Sequence, residues 1–291
     1  MPPAPRNVAS TTEILYASTS CRIIHTSSSG QAVSDLGSRV SIVTVCLNDL
    51  RGLKSTFESV REQTRLPRQW IVADGQSSDG TQEWLQSLEW PLLSWFSGKD
   101  GGIYEGMNRG LAQVDADYVL FLNSGDVLAS PDVLESVSSF LAARAEPPSL
   151  LYGDCFEVDA NGGAYLRRAR PPWWVWLGMP TTHQAMYFRT DALAGGFDTR
   201  YRWSSDYDAV TRLYMAHRGA DFAHLPKPLC RFHLGGRSDL HRSDFLREIL
   251  EIRRRVLGMN SAPAHILHGA HHVQGWIKKH VPAVHRAMRY G

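Results

Sequence analysis

Two aspartates in the chain stand where an apolar run gives way to a polar turn. Asp74 follows Trp70–Ala73 and opens Asp74-Gly75-Gln76-Ser77-Ser78-Asp79-Gly80-Thr81, while Asp126 closes Leu122-Asn123-Ser124-Gly125-Asp126 after Tyr118–Phe121. A carboxylate delivered by a buried strand, beside the free N–H groups of a Gly/Ser turn, suits a polar ligand. Each segment also reads as an ordinary turn: Asp79 or Thr81 can cap the next helix, and Asp126 precedes another helix start at Pro131. Two acids at two strand ends favour a binding edge over two unrelated turns, because ligands of open parallel sheets lie beyond the carboxyl ends of strands.

The elements that must position these acids alternate strand and helix. Val40–Leu47, Trp70–Ala73, Leu92–Phe96 and Tyr118–Leu122 read as buried strands. Between and after them, helical patterns cover Leu50 to Val60, Thr81–Leu88, Ile103–Ala112 and Pro131–Ala143. That rhythm predicts an α/β protein with a mostly parallel, Rossmann-like sheet and helices on both faces. Beyond Pro147-Pro148 the pattern changes. Leu150–Val158 and Ala164–Arg168 read as strands around Asn161-Gly162-Gly163, Pro171–Pro180 as a Trp-rich loop, His183–Phe188 as a strand and Tyr207–His217 as a helix. Residues 1–38, rich in Ser, Thr, Ala and Pro, are expected to form a disordered leader.

Composition excludes several classes. A net charge of +2 over 291 residues gives no whole-chain reason to bind nucleic acid. The four cysteines, Cys21, Cys46, Cys155 and Cys230, form no CxxC pair and fit a reducing compartment better than a zinc knuckle or disulfide framework. No apolar run has the length of a spanning helix, and the start lacks a signal pattern, so a cytoplasmic protein is expected. The first strand runs into Leu47-Asn48-Asp49-Leu50-Arg51-Gly52-Leu53, which sets aside the GxGxxG turn of a dinucleotide-dependent oxidoreductase.

The segments VSIVTVCLNDLRGLKSTFESV, WIVADGQSSDGT and GGIYEGMNRGLAQVDADYVLFLNSGD, followed by HQAMYFR, GGFDTRYRWSSDYDA and LCRFHLGGRS, resemble family-2 glycosyltransferases of GT-A fold. More narrowly, GIYEGMNRG and FLNSGD resemble bacterial colanic-acid and exopolysaccharide enzymes. The resemblance covers residues 39–237. It implies a glycosyltransferase domain over 39–240, with nucleotide-sugar binding in 39–130 and an acceptor and catalytic half in 131–240. It further implies that Asn48 and Asp74 hold the base and ribose of a nucleotide-sugar donor, commonly a UDP-sugar, and that Asp79 shapes that loop. Asn108 and Arg109 would lie near the ribose and diphosphate. Asp126 matches the last acid of the metal motif, and His233 a metal or diphosphate contact, so Mg²⁺ or Mn²⁺ is the expected cofactor. Asn123 and Gly125 stand where relatives carry further acids, which leaves Asp126 and His233 to hold the ion with substrate oxygens. Asp206 matches the catalytic carboxylate, a base whose pKa a neighbouring acid, Asp208, and apolar surroundings are expected to raise. The implied reaction is a single displacement with inversion at the sugar carbon.

Other residues carry two readings. Asp206 with Ser204 and Ser205 also suits a helix cap. His183 either faces the acceptor or packs. Trp173 and Trp174 can stack on sugar rings or fill the core, and Arg237 either offsets donor charge or is a solvated surface arginine. From Arg247 on, eight Lys or Arg and six His face two Glu. Residues 241–291 therefore read as a basic amphipathic helical tail, with apolar rows at Phe245, Ile249, Ile252, Val256 and at Ile277, Val281, Val284, Met288. Such a tail either touches the inner surface of an anionic membrane, near a glycan or lipid-linked oligosaccharide acceptor, or packs on the body. The competing non-enzyme reading is a nucleotide-sugar-binding scaffold that has lost catalysis, which the Asn123 and Gly125 departures favour and the retained acids oppose.

Overall fold

A computed structural model of the chain describes residues 38–235 and 241–290; the 1–37 leader and Arg237 lie outside the described residues. Strand β1 (Val40–Cys46) is buried at every position but Val45, as a central strand covered on both faces must be. It pairs in parallel with β2 (Trp70–Asp74) on one side and β4 (Tyr118–Phe121) on the other, and β3 (Leu93–Ser97) continues beyond β2. Among the described residues the sheet has nine strands, in the order β3-β2-β1-β4-β8-β6-β9-β5 with β7 paired to β6. Here β5 is Val127–Leu128, β6 Leu150–Val158, β7 Ala164–Arg167, β8 Met186–Arg189 and β9 Phe222–His233. Strands β1–β4, β6 and β9 run one way and β5, β7 and β8 the other, so the sheet is mostly parallel.

One face is covered by α1 (Leu50–Arg61), α2 (Thr81–Ser87) and α4 (Val133–Ala142), whose Leu53, Phe57, Val60, Leu85 and Val137 pack on Trp70, Val72 and Leu120. The other is covered by α3 (Ile103–Leu111) and α5 (Ser205–His217) through Tyr104, Met107, Val210 and Leu213. Helix α3 lies unusually close to β1. A Cβ at Gly110 would sit 2.4 Å from Val43 Cγ1, and one at Gly106 would sit 3.1 Å from Val45 Cγ1.

Three local differences from the sequence reading have physical causes. Strand β9 was not foreseen because Pro226 and Pro228 interrupt its pattern; both lie at a register shift against Gly153 and Asp154, where their missing N–H groups break no ladder. His183–Phe188 is not all strand, since His183–Ala185 forms a 3-10 turn before β8. The tail is three helices, α6 (Arg242–Arg255), α7 (Ser261–His280) and α8 (Pro282–Tyr290), because Pro282 divides the second apolar row.

Candidate active site

The carboxyl ends of β1, β2 and β4 and the start of α5 converge on one edge of the sheet. At the end of β2, Asp74 is buried and accepts from the Ser77 N–H and, at 2.6 Å, from the Ser97 hydroxyl. Asp100 lies alongside, its Oδ2 3.3 Å from where a Gly75 Cβ would stand, and accepts from the Gly102 N–H at 3.1 Å. Burial raises the Asp100 carboxyl above its ordinary range, against the Gly102 hydrogen bond. The sequence reading did not single out Asp100; its position just before Gly101-Gly102 and α3 was the available signal.

Two loops in front of Asp74 are tied together. Asn48, at φ 52°, donates its N–H to Ser77 Oγ and accepts the Ser78 N–H on its side-chain oxygen, both at 2.8 Å. Asp79 accepts the Leu50 N–H at 2.8 Å and the Thr81 hydroxyl at 2.6 Å, and these bonds hold its carboxyl below the usual range. Asn108 bonds both ways with the Phe197 backbone, at 2.8 Å each, and so joins α3 to the segment leading into α5. Arg109 donates to Gly98 O and lies 4.7 Å over the Phe96 ring.

Beyond β4, the chain turns at Asn123–Asp126 with Gly125 at φ 88°, a conformation in which a side chain would be strained. Thr56 of α1 fixes this turn: its hydroxyl donates to Asp126 O at 2.8 Å and accepts from the Gly125 N–H at 3.1 Å. The buried Asp126 carboxylate accepts from Gln184 Nε2 at 2.7 Å. Burial pushes its pKa up to about 6, opposed by the Gln184 bond and by His183 and His233 nearby.

Asp206 lies in the first turn of α5. Its Oδ1 accepts from the Tyr104 hydroxyl at 2.9 Å and the Tyr207 N–H at 2.8 Å, and its Oδ2 faces His183 Nδ1 at 3.0 Å. An ionised carboxylate can only accept, so His183 carries its proton on Nδ1 and its Nε2 accepts from Asn123 Nδ2 at 3.1 Å. Burial pushes the Asp206 carboxyl up, but the His183, Tyr104 and Tyr207 hydrogen bonds outweigh it and hold the pKa below the ordinary value. The expectation of a raised pKa is therefore corrected: Asp208, the acid expected to raise it, is turned away and paired with Arg212 at 2.8 Å. Asp126 and Asp206 are thus bridged by the adjacent His183 and Gln184 and by Asn123, whose buried Oδ1 has no partner within the protein.

The tail takes part in this arrangement. Glu248 of α6 accepts from the Arg202 and Trp203 N–H groups, each at 2.9 Å, and from the Ser204 hydroxyl at 2.8 Å, fixing the segment that delivers Asp206. Sequence reasoning missed Glu248 because it counted that residue only in the charge balance of the tail. Trp173 and Trp174 lie on a 3-10 turn (Pro172–Trp176) held to α5 by the Tyr207 hydroxyl, which donates to Val175 O at 2.6 Å. Trp173 is 53% exposed, its ring 5.6 Å from that of Trp174. Among the described residues these rings meet each other and Arg170, and neither is hydrogen-bonded to Asp206, Asp126 or His183.

His233 ends β9 beside Asp126, and its backbone N–H is among the groups that stabilise that carboxylate. Among the described residues no group of three His, Cys, Asp or Glu gathers as a metal site. Asp126 and His233 alone fit a hard divalent ion only if a substrate supplies most of its oxygens.

The sequence model of "Glycosyl transferase family 2" matches residues 41–202, more than half of the chain. The chain belongs to glycosyl transferase family 2. It is 35% identical over 182 residues to an uncharacterized glycosyltransferase of Mycobacterium tuberculosis (strain H37Rv), covering 60% of this chain and 68% of that protein. It is 29% identical over 184 residues to a PGL/p-HBAD biosynthesis glycosyltransferase of Mycobacterium bovis BCG, covering 60% and 69%. The fold matches glycosyltransferase structures at low identity. S. aureus TarS in complex with UDP-GlcNAc aligns with TM-score 0.58 at 15% identity, over 82% of this chain and 72% of that one. Glucosyl-3-phosphoglycerate synthase from M. tuberculosis, bound to Mn²⁺, UDP and glucosyl-3-phosphoglycerate, aligns with TM-score 0.55 at 16% identity, over 78% and 82%. This family-2 glycosyltransferase thus has the GT-A α/β fold expected from its sequence, with a helical C-terminal tail. Among the described residues no helix is long and apolar enough to cross a membrane.

Proposed function

We propose that the protein transfers a sugar, with inversion, from a nucleoside-diphosphate donor of the UDP-sugar kind to a hydroxyl of a glycan or lipid-linked oligosaccharide, in bacterial polysaccharide assembly at the cytoplasmic side of the membrane. The observation that carries the reading is Asp206, ionised at neutral pH and held by three donors beside the Asp126 turn. In this reading residues 39–130 hold the donor and 131–240 the acceptor. Asp74, Asn48 and the Asp79-braced loop receive base and ribose, and Arg109 and Arg237 offset diphosphate charge. Asn108 acts through the Phe197 segment it holds. His183 orients Asp206 and borders the acceptor, which Trp173 and Trp174 flank. Asp206 takes the proton of the attacking hydroxyl. Asp126 and His233 would hold Mg²⁺ or Mn²⁺, which supplies charge neutralisation for the leaving diphosphate.

The test compares donor hydrolysis and transfer by the wild type and Asp206→Asn. Loss of turnover by about 10²–10⁴-fold, with UDP binding retained in a thermal-shift titration, supports a general base. Asn123 and Gly125 favour one rival, a binding protein without catalysis. A wild type that binds donor but turns over none in the presence of Mn²⁺ replaces the transferase reading with that one.

A further inference from the structure

Residues 252–291 contain seven Lys or Arg, six His and no Asp or Glu. In α7 only Ala264 is buried, while Ile266, Val273 and Trp276 are 71%, 59% and 59% exposed. Their spacing of seven and three residues puts them on one helical face. The exposed apolar row continues through Val281 at the joint to Val284 and Met288 of α8, the last 64% exposed. Lys279 lies exposed on α7 beside that face, whereas Arg286 falls on the body side of α8, where its charge acts on Asp159. The opposite side of α8 is not free: Arg289 and the Tyr290 hydroxyl donate to the fully buried Glu157, the Arg289 Nε contact at 2.6 Å, and Tyr290 stacks on Tyr165 at 5.1 Å.

We infer that the α7–α8 face is a docking surface for an anionic lipid bilayer, its apolar row seated at the headgroup boundary and its cations against lipid phosphates. Three observations select this occupant. The row holds a tryptophan and aliphatic side chains flanked by Lys279 and by His280, which packs on Trp276, the make-up of a helix lying in a membrane interface. The absence of acids over forty residues leaves nothing for an anionic surface to repel. A second copy of the chain is disfavoured, since a two-fold contact would set the same cationic helices against each other.

The anchor gives this surface a fixed relation to the site. Glu157 pairs with Phe232 in the β6–β9 register, one step before Val158 and His233, so α8 is fastened beside the strand end that carries His233 next to Asp126. Docking therefore brings that edge of the sheet to the membrane. The consequence for the acceptor, that it is borne by the lipid, rests on the transferase reading above; the docking does not.

The experiment is co-sedimentation of the full chain with vesicles of phosphatidylcholine alone or with about one-third phosphatidylglycerol. The expected result is partition at least about tenfold stronger to the anionic vesicles, weakening as salt rises. Lys279→Ser should lose about fivefold, and Ile266→Ser/Trp276→Ser about tenfold or more, with unchanged melting temperatures and unchanged hydrolysis of donor in solution. Equal partition to neutral vesicles, variants that sediment like the wild type, or a dimer dissolved by Ile266→Ser/Trp276→Ser in a chain that ignores vesicles would each overturn the inference. Donor hydrolysis is measured without vesicles, so vesicle binding without turnover removes only the transferase reading, and turnover without binding removes only the docking surface.

Discussion

Replacing Gln184 with leucine removes the amide that donates to Asp126 Oδ2 at 2.7 Å while keeping the side chain's bulk. Burial pushes this carboxyl up to about 6, and the Gln184 hydrogen bond is the largest contribution opposing that rise. A hydrogen bond to an ionised group contributes about 1.5–3 kcal/mol, which corresponds to a rise of about one to two pH units when it is lost. The sign follows from the ionised form being the one that receives cation and diphosphate: a higher pKa keeps the proton on to higher pH and moves the acid limb of the rate profile alkaline. At pH 7 the ionised fraction falls from roughly nine-tenths to between about half and one-tenth, so kcat/KM drops about two- to tenfold and recovers near pH 9. The assay is kcat/KM for donor consumption across pH, which reports groups of the free enzyme. Stability gives an independent reading. The folded pKa lies above that of the unfolded chain, so Asp126 favours the fold most at low pH and its contribution is lost as pH rises through about 6. In the leucine variant that loss moves to higher pH. An acid limb of Gln184→Leu that overlays the wild type would refute the reasoning.

Glu248→Ala frees the segment before Asp206 from three hydrogen bonds and is expected to lower kcat about tenfold or more, with smaller change in UDP affinity, measured by steady-state kinetics and titration. Gly110→Ala places a Cβ 2.4 Å from Val43 Cγ1 and is expected to cost about 1–3 kcal/mol, offset by about 1 kcal/mol of helix propensity; Val43→Ala should relieve it, giving a favourable coupling of about 1 kcal/mol or more in a denaturation cycle. Arg289→Ala removes one partner of the buried Glu157, which keeps Arg167 and Tyr290, so a loss near the low end of about 3–5 kcal/mol is expected in urea unfolding.

The first half of the fold was legible because each of its strands is short, apolar and bounded by a turn, and each helix shows its apolar face. Asp74 and Asp126 were legible for the same reason, as charges at the end of buried runs. What was hidden is relational. Gln184 and Thr56 carry no charge and gain their roles only from where Asp126 falls. Glu248 sits on the polar side of a helix that a periodicity argument reads only for its apolar side. The direction of the Asp206 pKa was misread because Asp208, two residues on in the same helix, points to Arg212 rather than to its neighbour. Strand β9 was lost to its prolines, whose harmlessness depends on a bulge in β9 that only its pairing with β6 reveals.

The mutual bonds of Asn48 with Ser77 and Ser78, and of Asp79 with Leu50, have a thermodynamic consequence. Two loops twenty-nine residues apart in the chain are already frozen against each other. Ordering a flexible backbone costs about 1–2 kcal/mol per residue, and here folding meets that cost before any ligand arrives. A molecule seated against these joined loops, as the proposed donor would be, would meet a wall already ordered, and its affinity would go to contacts rather than to arranging that wall.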